Sequence, residues 1–160
     1  MAIRTSLNRS PHAVISAVQQ WDGSIGVGIV LRARGGVSVQ KLGYVSEASS
    51  IEEGLYRALV EALDYASDHN MRGLIVFVDD AHVVDELTWQ SEVCEDLRPW
   101  FVQVRCRANA LWPARFEAAP PTLSFSARQL AQDALEHGQT FTLAHGTPIL
   151  PLRFAEDLVA

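Results

Sequence analysis

A chain of 160 residues, 48% of them hydrophobic, is long enough for one compact domain to bury a core without disulfides or a structural metal. Its formal net charge of −6 excludes the globally basic surface that draws many proteins to phosphate backbones, so any nucleic-acid affinity has to be local. No apolar run reaches membrane-spanning length and the polar N-terminus lacks a signal-like core, so a cytoplasmic protein with no membrane association is expected.

Residues 13–18 and 26–31 read as strands, joined across Asp22-Gly23, a dipeptide that accepts the positive φ angles of a tight hairpin. Gly35-Gly36 marks a second turn before a third strand at about 37–44, which completes an antiparallel meander. Ser49 and Ser50 each stand three residues ahead of a glutamate, Glu52 or Glu53, the pattern of a capping box. The helix they start carries Leu55, Ala58, Leu59, Ala62, Leu63 and Ala66 on one stripe and ends at Asn70 to Gly73; Tyr56, Arg57 and Glu61 are expected on its exposed face.

Residues 74–78 form a wholly apolar, β-branched run of the kind found in a central strand covered on both faces, and it ends on Asp79-Asp80. A helix is expected from 81 to about 97, stopped by Pro99, with Asp80 as its cap and Asp85 on its solvated face. Residues 100–106 alternate like a further strand, 109–125 with three prolines read as a loop, and 126–136 as a helix between Ser126 and Gly138. Cys94 and Cys106, without CxxC or metal-ligand spacing, are expected as reduced core thiols. The tail from Thr140 to Arg153 is read as a short hairpin or extended arm. Phe141, Leu143, Ile149, Leu150, Leu152 and Phe154 make it apolar enough to cover a sheet edge or join a partner chain.

Three hairpin strands, a helix, a strand ending in Asp, a helix, a strand, a loop and a last helix is an element order that resembles the ribonuclease H-like superfamily. Gly26-Val-Gly28-Ile-Val resembles its second strand, Ala58-Leu59-Val-Glu-Ala62-Leu63 its first long helix, Val78-Asp79-Asp80 its Thr-Asp-Ser strand end, and Ala127-Arg128-Gln129-Leu130-Ala131 its closing Ala-Asp-x-Leu-Ala motif. The resemblance implies an α/β fold with a mixed five-stranded sheet, three antiparallel strands followed by parallel ones, flanked by helices. Residues 1–138 would form that domain and 139–160 a C-terminal extension packed on it or on a partner.

The resemblance also implies hydrolysis by four carboxylates around two Mg²⁺ ions, whose positive charge several acids must offset. Carried onto this sequence, the four acids fall near Ala17, near Leu55, on Asp79 and on Arg128, so Asp79 is the only matching acid and the only metal ligand, if any is bound. Arg128, placed near Asp79 by the resemblance, would repel a metal, or would instead pair with the carboxylate in a structural salt bridge. Glu52 and Glu53 lie about a turn upstream of Leu55 and Asp80 adjoins Asp79, so these are the further candidate acids, although capping accounts for all three; Asp22 fits a hairpin turn. His82, three residues past Asp79, is a candidate ligand or base and otherwise an ordinary polar residue at a helix start.

Arg105, Arg107, Arg115 and Arg128, near Trp100, Trp112, Phe116 and Phe125, are the one basic and aromatic concentration. Arg105, Arg107, Arg115 and Trp112 are the candidate nucleic-acid contacts. The favoured expectation is a ribonuclease H-like module, without cofactor, that has lost nuclease activity and binds nucleic acid (RNA or an RNA/DNA hybrid) or protein. The alternatives are a divergent Mg- or Mn-dependent nuclease using Asp79 with Glu52 or Glu53 and Asp22 or Asp80, and a structural subunit that forms a homodimer through its C-terminal extension.

Overall fold

The computed structural model describes residues 10–35, 38–111, 113–137, 141–144 and 147–149, with backbone alone for 38–39 and the last two stretches. Strands β1 (His12–Gln19), β2 (Ile25–Arg32) and β3 (Ser38–Ser46) form the expected antiparallel meander. The first hairpin closes where Gln20 N–H donates to the Ser24 carbonyl at 2.9 Å, and Gly23 sits at φ +91°, a conformation that favours glycine.

Helix α1 (Ile51–Asp68) starts on the capping box: Ser50 Oγ accepts from Glu53 N–H at 3.1 Å while Glu53 Oε2 accepts from Ser49 N–H at 2.9 Å. Strand β4 (Ile75–Val78) pairs parallel with β1 on one side and with β5 (Arg115–Ala118) on the other. The order β5-β4-β1-β2-β3 is the expected mixed five-stranded sheet. Strands β6 (Phe141–Ala144) and β7 (Thr147–Ile149), antiparallel to each other, extend it beyond β3.

The two faces are packed differently. Alternate residues Ala13, Ile15, Ile25, Val27, Ile29 and Leu31 face the large core under α1 and a third helix. The other face meets the last helix almost backbone to backbone. A Cβ on Gly28 would overlap the Ala127 carbonyl, one on Gly26 the Ala131 carbonyl, and one on Gly43 would lie 2.7 Å from the Leu130 carbonyl oxygen. Glycines on the sheet and alanines on the helix let that helix lie close over the sheet, which explains Gly26-Val-Gly28 as a packing device.

The region after Asp80 departs from expectation. Helix α2 (Ala81–Leu87) is only two turns long, because Trp89 takes φ +66° and the chain leaves the helix axis. After a short 3₁₀ turn (Glu95–Leu97), helix α3 (Arg98–Ala110) occupies the segment expected as a strand. Pro99 starts this helix rather than stopping one, since the first turn needs no proline N–H, and the buried residues Phe101, Val104 and Ala108 follow helical spacing. The expected loop contains edge strand β5, of which only Phe116 is buried, and α4 (Pro121–His137) starts five residues earlier than Ser126.

Three side-chain placements also change. Tyr56 is fully buried because α1 is covered by the sheet and by α3. Cys94 and Cys106 are exposed rather than core thiols. Among the described residues no helix is long and apolar enough to cross a membrane.

Candidate functional site

Parallel pairing sets the position of Asp79. Val78 lies beside Ile15, and Asp79 N–H donates to the Ile15 carbonyl at 2.9 Å, so the carboxylate emerges at the end of β4 next to the last half of β1. Its Oδ2 accepts from Ser16 Oγ at 2.8 Å, from Arg128 Nη2 at 2.7 Å and from Arg128 Nε at 3.2 Å. The expected ion pair therefore exists, with the Asp79 side chain 18% exposed and that of Arg128 48% exposed. A guanidinium and a hydroxyl donating to the same oxygen give a carboxylate that is charge-compensated from within the chain.

The other three positions to which the resemblance assigns an acid hold none, and the further candidate acids are engaged elsewhere. Ser16, not Ala17, is the β1 residue that meets it; Ala17 points the opposite way and packs on the large core. Leu55 is fully buried in that core. Glu53 is held by the capping box and pairs with Arg57 at 3.4 Å. Asp80 caps α2, accepting from His82 N–H at 2.9 Å and Val83 N–H at 3.1 Å. Asp22 accepts from Ser24 N–H at 2.9 Å in the hairpin turn, and its hydrogen bonds to Ser24 hold its carboxyl below the ordinary range.

Glu52 belongs to a different group. Its carboxylate, His82 Nε2 or Nδ1 and the Glu86 carboxylate bring ligand atoms within 4.8 Å of one another, where the start of α1 meets α2. Glu86 is 2% exposed, takes a hydrogen bond from the Tyr56 hydroxyl on Oε1 at 3.1 Å, and has His82 Nε2 at 3.9 Å from Oε2. Burial pushes the Glu86 carboxyl above its ordinary range, against the pull of Tyr56 and His82, and burial likewise raises the Tyr56 hydroxyl. The sequence reading missed Glu86. The available signal was its spacing: it falls three residues after Val83 and next to Leu87, on the buried side of a short helix, and one turn after His82.

Glu86 also lines a groove of about 540 Å³ with Trp89, Val93, Arg98, Phe101 and Val102. Trp89 and Val102 are 69% and 51% exposed.

Among the described residues, the candidate arginines have separate partners. Arg105 and Arg107 lie on α3, not on a strand. Arg105 donates to the Leu87 carbonyl at 3.3 Å and lies over the Trp89 and Phe116 rings, whereas Arg107 pairs with Asp64 of α1 at 2.8 Å. Arg115 is exposed on β5, and Trp112 lies outside the described residues. Phe116 is buried, while Phe125 is 67% exposed on α4, three residues before Arg128.

The family described as reverse transcriptase-like matches residues 14–134. Among solved structures, the chain is similar to RNase H1 from the halophilic archaeon Halobacterium salinarum NRC-1, with 25% identity, a TM-score of 0.73, and coverage of 80% of this chain and 98% of that one. It is also similar to the N-terminal RNase H domain of a Mycobacterium tuberculosis protein, solved as a fusion with maltose binding protein (23% identity, TM-score 0.70, 81% and 96% coverage). LC11-RNase H1 in complex with an RNA/DNA hybrid shares the fold at 17% identity and a TM-score of 0.71, covering 80% of this chain and 98% of that one. No curated protein matches the sequence.

Proposed function

Because this chain belongs to the reverse transcriptase-like family, within the ribonuclease H-like superfamily, and its strand-end acid is already paired, we propose that it binds nucleic acid without cleaving it. The observation that carries this reading is Asp79 Oδ2, which accepts from both Arg128 and Ser16. Two divalent cations need several carboxylates to offset their charge and oxygen ligands to fill their shells. Asp79 with Ser16, Leu55 and Arg128 around the corresponding positions does not suit such a pair of ions. The family likeness and the hybrid-bound relative favour an RNA/DNA hybrid or another duplex as the partner class. The exposed Phe125 and the Arg128 edge of α4 offer an apolar and a cationic contact beside the strand end.

Purified protein incubated with an RNA/DNA hybrid in Mg²⁺ or Mn²⁺ should leave the hybrid intact. Fluorescence anisotropy with the same hybrid should report binding that weakens steeply with salt. Cleavage that disappears in Asp79→Asn would overturn the reading, as would binding no stronger than that of an unrelated acidic protein.

A further inference from the structure

We propose that Glu52, His82 and Glu86 form a binding site for one divalent first-row transition-metal ion, separate from Asp79. The three side chains come from two elements that the fold holds together: Glu52 from the first turn of α1, His82 and Glu86 from α2. Their ligand atoms lie within 4.8 Å of one another, and no other group of three His, Cys, Asp or Glu among the described residues does so. Ligand bonds to such an ion are about 2.0–2.2 Å, so a small inward rotation closes the shell. The arrangement permits it: the His82 side chain is 56% exposed and Glu52 is half-buried, while Glu86 is fixed in place by Tyr56.

A second observation separates this group from an ordinary acidic cluster. Glu86 is 2% exposed, and the Tyr56 hydroxyl donates to its Oε1. Oε2 faces His82 at 3.9 Å, beyond hydrogen-bond reach. A carboxylate buried to this degree is costly to keep charged unless a cation meets it. His82 stands one helical turn before Glu86, the spacing at which two ligands on one helix share an ion. Two carboxylates neutralise a divalent charge, and the imidazole selects Zn²⁺, Mn²⁺ or Fe²⁺ over Mg²⁺ or Ca²⁺, which prefer all-oxygen shells. Three protein ligands leave at least one coordination position for water or a ligand, and Glu86 also lines the neighbouring groove.

The site does not depend on the nucleic-acid reading, and its test reads metal rather than activity. The chelator-treated 160-residue chain is titrated with Zn²⁺ by calorimetry and with Co²⁺ by visible absorption. A single equivalent of Zn²⁺ and a Co²⁺ spectrum of low-symmetry coordination are expected. His82→Ala and Glu52→Gln, both at residues outside the core, should weaken Zn²⁺ by roughly tenfold or more, with Asp79→Asn unchanged. Absence of binding to the wild type, wild-type affinity in His82→Ala, or loss of binding in Asp79→Asn would each overturn the proposal.

Discussion

Arg128 shows how one side chain can redirect a site. On a helix held over the sheet by glycine, a long guanidinium reaches the strand end that a short acid would otherwise share with Asp79. The pair is partly exposed, so its worth to stability is modest, below ~1 kcal/mol. Arg128→Ala should shift the urea midpoint little and leave an RNA/DNA hybrid uncleaved, because Leu55 and Ser16 still supply no charge. Appearance of Mg²⁺-dependent cleavage in that variant would show that the arginine alone blocks the chemistry. Asp79 and its arginine partner were legible in the sequence, since an apolar run ending in acid and a short helical motif are local signals.

Glu86 was not legible. A glutamate beside Val84 and Leu87 reads as a solvated position until the tertiary fold places α1 and Tyr56 over it. Its burial has a consequence in pH. The folded carboxyl binds its proton more tightly than the unfolded one, whose ordinary value is 4.5, so the native state holds more protons as pH rises above that value. Stability is therefore full below 4.5 and falls as pH climbs through the raised folded value. In chelator, denaturant midpoints of the wild type should drop across this window relative to Glu86→Gln, which keeps an acceptor for Tyr56. Parallel pH profiles for the two proteins would mean that Glu86 ionises freely in the fold.

At the scale of elements, the closeness of α4 to the sheet is the tightest constraint. Gly28→Ala places a methyl on the Ala127 carbonyl, a backbone atom that cannot rotate aside, so the whole helix must lift. The cost should be about 3 kcal/mol or more, measured as loss of the cooperative unfolding transition or a large fall in its midpoint. Gly35, at φ +90° with open space around it, loses only through backbone strain on the same change and should fall by about 1 kcal/mol. The meander, α1 and β4 were readable because their periodicity and turn residues agree. The segment from 88 to 118 was not. The helix before it ends at Leu87 without a glycine, the next carries Pro99 in its first turn, and β5 buries a single residue, so each local signal pointed to another element.

Across the whole molecule, the open question for any such sheet is its edges. β5 is four residues long and largely exposed, too short to be a strong template. The opposite side would end at β3, a nine-residue strand, were it not paired by β6 at Lys41, Leu42 and Gly43. The C-terminal hairpin thus caps its own sheet and moves the free edge to three-residue β7. If this capping is its main role, deletion from Thr140 onward bares β3, and light scattering should show the truncated chain gaining mass with concentration while the full chain does not. If the extension instead holds a homodimer, the full chain is the heavier species and truncation yields monomer. The two results differ in sign. The pairing of β6 to β3 within one chain favours the first, because the backbone groups a partner strand would need are already engaged there.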